Sequence, residues 1–244
     1  MKRPFVRKLK RKRHGASFWD NEYASGGEFL ALSDSESEDL AKFVRWLGRQ
    51  KDELPLSKET EVLDLGCGNG RNLIFLAKNF NVKGIGYDIS SAAIAEAKRA
   101  SGDLPLSYET RSIAGALDVP DNSQDLVLDM MSSHFLNSKE REDLRDEICR
   151  VLRPGGWLYL KTFLRDGDLH TKRLLETAPT KEEGTYVHPV IGVPEHAYGE
   201  EELADFLGKK FLVQKIYRSH KHVYKGRARK RRTISVYAQK DPYA

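Results

Sequence analysis

The sequence predicts an α/β fold in which a mostly parallel β-sheet carries helices on both faces. From residue 60 to residue 165, apolar stretches typical of buried strands alternate with amphipathic stretches typical of helices, as in βαβ units. Directly after the first of these strands, in VLDLGCGNGRN (62–72), a glycine occupies every second position from 66 to 70. A turn of this kind, between a strand and a helix, brings backbone close to a ligand.

Each element of this alternation follows from its local pattern. The acidic run SDSESEDL (33–40) predicts a helix start before AKFVRWLGRQ (41–50), because its acids lie at the positive end of the helix. The predicted strands are EVLDL (61–65), VKGIGYDI (82–89), LPLSYE (104–109), QDLVLDMM (124–131) and WLYLKTFL (157–164). The predicted helices between them are RNLIFLAKNF (71–80), SAAIAEAKRA (91–100) and KEREDLRDEICRVL (139–152).

The alternation stops after residue 165. Residues 166–198 contain Gly, Pro and His without a regular period, and we expect an irregular segment there that acts as a lid over a substrate. A helix at GEEELADFLG (199–208) and two strands, FLVQKIYR (211–218) and TISVYAQ (233–239), are predicted to complete the fold.

Positive charge is concentrated in two segments. Residues 1–13 carry eight Lys or Arg, residues 209–232 carry eleven, and neither segment contains an acid. Because the whole chain has a net charge of +5, residues 14–208 carry a net charge of −14. This layout predicts a polyanionic partner that binds the two basic segments rather than the whole surface.

The predicted organisation is a basic flexible arm (1–16) followed by a single domain (17–244). Within the domain, residues 40–165 form the ligand-binding half, and a basic hairpin loop spans 219–232. The only cysteines, Cys67 and Cys149, lack the spacing of a zinc site or a disulfide framework, so no metal site is predicted. No apolar run reaches the length of a membrane span, and a reducing cytoplasm is the expected compartment. The oligomeric state stays open.

The glycine loop differs from the dinucleotide fingerprint. In G-x-G-x-x-G the third glycine would stand at Arg71, whereas here it stands one residue earlier, at Gly70. Asp64, at the strand end, is a poor neighbour for a pyrophosphate and suits a ligand with a positive amino group. Asp88 ends the second strand, where a carboxylate can accept both ribose hydroxyls. An amino-acid head, a ribose and no phosphate between them indicate S-adenosylmethionine.

These motifs resemble those of the class I S-adenosylmethionine-dependent methyltransferases, and within them the tellurite-resistance type. Residues 61–72 are similar to the first motif of that family and GYDIS (86–90) to the second. The later motifs are matched by VPDNSQDLVLDMMSSHFL (119–136) and RVLRPGGWLYL (150–160). The resemblance implies a Rossmann-like sheet of seven strands, the last antiparallel.

The resemblance also implies a set of residues around the cofactor. Asp64, Gly66 and Gly68 would hold the methionine portion, Asp88 the ribose, and Ile89 would lie against the adenine. The family's acidic residue for the adenine amino group is missing, and Ser112 or Ile113 stands in its place. The predicted cofactor-binding residues are Asp64, Gly66, Cys67, Gly68, Asn69, Gly70, Asp88, Ile89, Ser112, Ile113 and Met130.

Candidate catalytic residues follow the fourth strand, because ligands bind at the carboxyl ends of parallel strands. His134 is either a general base or substrate contact, with Asp129 behind it, or a residue that only packs or caps the next helix. The sequence lacks the Asn/Asp-Pro-Pro-Tyr/Phe signature of exocyclic-amine methyltransferases and a Pro-Cys nucleophile. Positioning for an in-line displacement is therefore the expected main source of acceleration.

Three classes of substrate are compatible with the sequence, and the two basic segments favour the first of them. The first is RNA or another nucleic acid, bound by residues 1–13 and 209–232. The second is a small molecule, with the basic segments incidental, and the third is a protein. The predicted substrate-binding residues are Trp19 and Tyr23 as aromatic cover, Lys161 at the end of the fifth strand, and Arg227, Arg229 and Arg231 in the basic loop.

Overall fold

A seven-stranded sheet forms the centre of the protein. The computed structural model describes residues 15–27, 33–50, 55–220, 222–224, 227–241 and 243. The helices are α1 (Ala16–Ser25), α2 (Glu38–Leu47), α3 (Arg71–Phe80), α4 (Ser91–Ser101), α5 (Ser138–Val151), α6 (Leu169–Thr177) and α7 (Glu200–Gly208), with a short 3-10 helix at Ser133–Phe135. The strands are β1 (Glu61–Leu65), β2 (Lys83–Asp88), β3 (Leu106–Thr110), β4 (Gln124–Met130), β5 (Leu152–Phe163), β6 (Thr185–Val187), β7 (Pro194–His196), β8 (Phe211–Arg218), β9 (Val223–Tyr224), β10 (Arg227–Ala228) and β11 (Thr233–Lys240).

The strand order in the sheet is β3-β2-β1-β4-β5-β11-β8. All neighbours pair in parallel except β11, which is antiparallel to β5 and to β8. This arrangement confirms the predicted fold, including the antiparallel last strand. The chain runs outward from β1 to β3 and then returns to β4, so the crevice for a ligand lies at the carboxyl ends of β1 and β4.

Side chains alternate between two cores along each central strand, because successive residues of a strand point to opposite faces. On one face, Leu63 and Leu65 pack in a buried cluster that includes apolar residues of α5 and α7. On the other face, Val62 packs with α2, α3 and α4 in a second cluster. By the same alternation Asp64 lies on the face of Val62, at the end of the strand where apolar packing gives way to the ligand crevice.

The lid segment, residues 166–198, differs from the irregular structure that the sequence predicts. It contains α6 and a two-stranded antiparallel hairpin of β6 and β7. Tyr186 and Tyr198 in this segment are almost completely buried. Strands of three residues are too short to show an alternating pattern, and this is why the sequence did not reveal them.

The predicted arm, residues 1–16, lies outside the described residues except for its last two, Gly15 and Ala16, and α1 begins at Ala16. In the described part of the chain, no helix combines the length and apolar character that crossing a bilayer requires.

Candidate active site

Three glycines shape the loop at the carboxyl end of β1, residues 66–70, named here the glycine loop. Gly66, Gly68 and Gly70 have φ angles of +75°, +55° and +76°, in the left-handed region that favours glycine. A Cβ at Gly66 would lie less than 3.0 Å from Ser132, and one at Gly70 less than 3.0 Å from Tyr108. Both backbone conformation and close packing therefore require glycine here.

Cys67 lies inside the glycine loop as a packed residue. Its backbone N–H donates to the Tyr87 carbonyl at 2.9 Å, which fixes the loop against β2. The side chain is buried, and burial raises the pKa of the thiol well above its usual value. Since the thiolate is the reactive form of cysteine, this residue supports the loop and is not a nucleophile.

Asp64 places an unpaired carboxylate beneath the glycine loop. The residue is 1% exposed, and its Oδ2 has no hydrogen-bond partner among the described residues. Burial raises the pKa of Asp64 to about 8, and the charges of Asp88 and Asp129 add to the shift. A buried carboxylate without a partner is unfavourable, and a cationic amino group is the ligand that would stabilise its ionised form.

Asp88 is fixed at the end of β2 by backbone groups. Its Oδ2 accepts from the Gly68 N–H at 2.9 Å and its Oδ1 accepts from the Ser90 N–H at 2.8 Å. Burial raises the pKa of this carboxyl, and these bonds oppose the rise. Each oxygen keeps a second lone pair for a ribose hydroxyl. The adjacent Ile89 is 39% exposed, so an apolar surface is available next to that position.

The other predicted cofactor residues have mixed positions. Ser112 is exposed, and its Oγ accepts from the Ala114 N–H at 3.0 Å, whereas Ile113 packs in the core. The Asn69 amide donates to the Ser33 carbonyl at 3.3 Å and to Asp34 at 3.1 Å, so it ties the glycine loop to the segment before α2. Met130 is also engaged within the protein, because its Sδ accepts from the Asn72 amide at 3.4 Å.

Helix α1 covers the glycine loop. A Cβ at Gly68 would lie less than 3.0 Å from the Tyr23 hydroxyl, so Tyr23 lies directly on the loop. Asp20 accepts from the Ser90 hydroxyl at 2.9 Å and from the Ala92 N–H at 3.2 Å, which fastens α1 to the start of α4. Trp19 meets Phe135 edge-on, with ring centroids 5.3 Å apart. Trp19 and Tyr23 thus cover the edge of the sheet that carries the glycine loop, and their contact with a substrate stays a prediction. Asp20 was not identified from the sequence as the residue that holds α1 in place.

Asp129 supports the backbone after β4 and does not orient His134. Its Oδ1 accepts from the Ser132 hydroxyl at 2.7 Å and from the Ser133 N–H at 3.1 Å, so it caps the 3-10 helix. The predicted arrangement with Asp129 behind His134 is therefore wrong. Met131, between them, has a φ of +64°, and its N–H donates to the Lys161 carbonyl at 2.8 Å. This left-handed turn costs about 1–2 kcal/mol and aims the following residues across the carboxyl edge.

His134 is buried in aromatic surroundings. It is 1% exposed, and neither ring nitrogen has a hydrogen-bond partner in the described part of the chain. Its ring lies 4.2 Å from that of Phe135 and 5.1 Å from that of Phe163, centroid to centroid. Burial lowers the pKa of His134 to about 4, so the imidazole is neutral at pH 7 and offers one donor and one acceptor nitrogen.

Arg231 turns into the protein and is not a surface cation. Its guanidinium donates to Glu195 and to Tyr186 of the lid segment, and its carbon lies 3.3 Å from the centroid of the Phe163 ring. Binding of nucleic acid by Arg231 stays a prediction, and in this structure its guanidinium makes contacts within the protein. The basic loop emerges at the carboxyl edge of the sheet. The positive charge of its sequence did not reveal that Arg231 makes contacts inside the protein.

The remaining predicted substrate residues lie on β5 and in the basic loop. Lys161 pairs with Asp39 at the start of α2, with Nζ and Oδ2 2.7 Å apart, so its ammonium is engaged within the protein. Arg229 is exposed, and its backbone N–H donates to the His222 carbonyl at 2.8 Å. The backbone of Arg227 pairs with Tyr224 in the β9–β10 hairpin, and its side chain lies outside the described residues. The residues described by the structure contain no cluster of three or more metal-ligating side chains.

Comparison with known proteins identifies the domain. The model of a methyltransferase domain family matches residues 62–156. The chain is 35% identical over 136 residues to 27-O-demethylrifamycin SV methyltransferase of Amycolatopsis mediterranei, covering 54% of this chain and 49% of that protein. It is 33% identical over 101 residues to a protein-lysine N-methyltransferase of Saccharolobus islandicus, covering 41% of this chain and 60% of that one. The chain spans about half the length of the curated relatives it matches.

A solved structure extends the match beyond the motif region. The S-adenosylmethionine-dependent methyltransferase from Methanosarcina mazei is 28% identical, with a TM-score of 0.64 over 78% of this chain and 95% of that one. The family-model match at residues 62–156 contains Asp64 and the glycine loop. Residues 62–156 therefore form a methyltransferase domain, and the chain has the fold of the class I S-adenosylmethionine-dependent methyltransferases.

Proposed function

We propose that this protein transfers the methyl group of S-adenosylmethionine to a small-molecule acceptor at the carboxyl edge of the sheet. The observation that carries the proposal is the unpaired, buried Asp64 carboxylate beneath a loop of three left-handed glycines. The residues fit the cofactor, because Asp64 would pair with its amino group, Asp88 would accept its ribose hydroxyls, and Ile89 would lie against its adenine. When bound, the cofactor supplies an electrophilic methyl group on a positively charged sulfur.

The protein contributes position and exclusion of water. Helix α1 lies over the glycine loop through Tyr23, and Trp19 continues this cover to Phe135. His134, on the other side, offers a neutral imidazole that can accept a hydrogen bond from an acceptor hydroxyl or amine. Alignment of a nucleophile with a reactive methyl group supplies much of the acceleration in such a displacement, so rigid walls are a sufficient device.

The lid segment favours an acceptor of small size. His134 is 1% exposed beneath that segment, so an acceptor that reaches it must be enclosed. Three arginines of the basic segment also make contacts within the protein. Arg231 pairs with Glu195, Arg218 pairs with Glu200, and Arg232 donates to the Asp166 carbonyl at 2.6 Å. These contacts reduce the cationic surface that 209–232 presents to a polyanion.

A nucleic-acid acceptor is the second candidate, favoured by the charge of the chain. Residues 1–13 carry eight Lys or Arg without an acid, and in the described part of 209–232 Lys209 and Lys230 remain exposed. Counterion release from such segments gives affinity for RNA that falls steeply with salt. On this hypothesis the acceptor is a nucleotide presented to His134 by a strand held on the basic segments.

One labelling experiment separates the candidates. Methyl-tritiated S-adenosylmethionine is incubated with the protein and fractionated cell extract at low and moderate salt, with Asp64→Asn as the matched inactive control. Label in nuclease-resistant small molecules supports the first proposal, and label in nuclease-sensitive material replaces it with the second. Label in protein would contradict both. No label in any fraction, together with no binding of S-adenosylhomocysteine in a calorimeter, would refute methyl transfer itself.

A further inference from the structure

His134 belongs to a buried cluster that connects the lid segment to β5 and to the basic loop. The cluster consists of His134, Phe163, Tyr186, Glu195 and Arg231 and is named here the lid cluster. Arg231 donates to Glu195 and to Tyr186, and Tyr186 donates to Glu195 as well. The Phe163 ring connects His134 to the other members, because the Arg231 guanidinium and the His134 imidazole both pack on it. Four parts of the chain therefore meet at one place: the turn after β4, the end of β5, the lid segment and the basic loop.

The lid cluster is electrically balanced. Glu195 is 2% exposed and the Arg231 side chain 19%, so the two charges form a largely buried pair. A neighbouring cation, Arg141, is also paired, with Glu182. His134 is neutral at pH 7 because its pKa is lowered. A charged acceptor at this place would bring an uncompensated buried charge, which costs several kcal/mol. The cluster therefore favours an uncharged acceptor.

A row of aromatic rings ends at the lid cluster. Trp19 meets Phe135 at 5.3 Å, Phe135 meets His134 at 4.2 Å, and His134 meets Phe163 at 5.1 Å, all between ring centroids. This row runs from α1 to the lid cluster along the carboxyl edge of the sheet. Aromatic rings bind planar rings by offset stacking and edge-to-face contact, so the row favours a flat acceptor.

Polar atoms without partners remain in the same place. Within the residues that the structure describes, both ring nitrogens of His134 and the Nε of Arg231 are buried and have no hydrogen-bond partner. Buried polar atoms are almost always paired in folded proteins, so these three atoms indicate a missing polar group. A hydroxyl can serve two of them, because it can donate to one imidazole nitrogen and also accept from the Nε–H of Arg231.

We infer that the acceptor is an uncharged, planar aromatic compound whose hydroxyl binds His134 beside Arg231. This inference rests on the proposed methyl transfer and names its substrate class. His134 contacts the acceptor, and the half-buried rings of Trp19 and Phe135 supply its aromatic surface. Glu195 acts through Arg231 as the specificity-determining residue, because its carboxylate cancels the guanidinium charge that would otherwise attract an anionic acceptor.

The test measures binding, independent of turnover. The protein is saturated with S-adenosylhomocysteine and titrated in a calorimeter with 2-naphthol, 2-naphthoate and 2-decalol at pH 7. These probes are an uncharged planar hydroxyl, its anionic counterpart and a non-planar alcohol. We expect 2-naphthol to bind at least tenfold more tightly than either of the others. In His134→Phe, which removes both ring nitrogens, 2-naphthol should bind no more tightly than naphthalene.

Glu195→Gln gives the sharper result, since it leaves Arg231 without its carboxylate. We expect 2-naphthoate to gain at least tenfold in affinity, whereas removal of an exposed acid in Asp143→Asn should leave both affinities unchanged. A merely structural role for Glu195 would weaken both probes together. Equal binding of 2-naphthol and 2-naphthoate to the wild type, or an unchanged ratio in Glu195→Gln, would overturn the inference.

Two further measurements keep the outcome decisive. If Glu195→Gln does not fold in a thermal scan, Arg231→Gln is used instead, because it leaves Glu195 without its guanidinium partner. The affinity of this variant for cationic 2-naphthylmethylammonium should rise at least tenfold. No rise in affinity would overturn the inference. Titration with S-adenosylhomocysteine alone distinguishes a failure of the proposed function from a failure of the inferred acceptor. Absence of its binding refutes the proposed function, whereas its binding without any binding of 2-naphthol refutes only the inferred acceptor.

Discussion

Asp64→Asn should make the free protein more stable at pH 8 while weakening its binding of S-adenosylhomocysteine. Burial raises the pKa of Asp64 in the folded protein to about 8, whereas the same group ionises near its ordinary value of 3.8 when the chain unfolds. Between these two values the folded state holds one more proton than the unfolded state. Stability therefore falls as the pH rises from about 4 to about 8. Each unit of difference corresponds to about 1.4 kcal/mol, so the loss across this window amounts to several kcal/mol.

The substitution removes this dependence because an amide does not ionise. We expect the difference in free energy of unfolding between Asp64→Asn and wild type to grow in favour of the variant from pH 5 to pH 8. Guanidinium titrations at each pH measure it, and Asp143→Asn, which removes an exposed acid, is the control. Equal slopes for wild type and Asp64→Asn would refute the assignment of a buried, protonated Asp64.

Binding should show the opposite sign. At pH 7 a carboxyl with a pKa near 8 is ionised in about a tenth of the molecules, and the cationic amino group of the ligand pairs with the ionised form. The affinity of wild type for S-adenosylhomocysteine should therefore rise roughly tenfold from pH 6 to pH 7 and level off above pH 8. In Asp64→Asn the affinity should be at least tenfold lower at pH 8 and nearly independent of pH. A variant that binds as tightly as wild type at pH 8 would refute the pairing.

Three more substitutions test the architecture of the site. Gly68→Ala should destabilise the protein by about 1–2 kcal/mol and weaken S-adenosylhomocysteine binding, because the new Cβ would meet Tyr23 at a left-handed backbone position. The control Gly208→Ala has no atom within 4 Å of its new Cβ and should not destabilise the protein. Equal denaturation midpoints for the two variants would contradict this account. His134→Phe keeps the ring packing but removes both nitrogens, so methyl transfer should fall at least tenfold while S-adenosylhomocysteine affinity changes less than twofold, and a parallel loss of affinity would show a structural role instead. Asp20→Ala removes the acceptor that holds α1 on α4 and should cost about 1 kcal/mol in urea unfolding, and no change would show that α1 is held by its aromatic contacts alone.

Local pattern was sufficient for most of the fold and for the cofactor side of the site. The elements between residues 60 and 165 have a clear period of two or of about 3.6, and each pattern arises within one element, so neighbours in sequence determine it. Asp64, Gly66, Gly68 and Gly70 lie within one turn, and together with Asp88 at the end of the next strand they indicated the ligand. The antiparallel last strand followed from the resemblance to the family, and the structure confirms it.

The acceptor side depended on contacts between segments far apart in the chain. Arg231 looked like one of eleven cations in a basic run, but its partner Glu195 lies 36 residues away and Phe163 lies on another strand. Asp129 was assigned to His134 by proximity in sequence, whereas the sharp turn at Met131 directs its carboxylate to Ser132 and Ser133. The sequence shows which residues are charged but not where their side chains point. The packing of the strands and the lid segment determines that orientation. The sequence thus determined the fold and the glycine loop, and the tertiary structure decided which side chains surround His134.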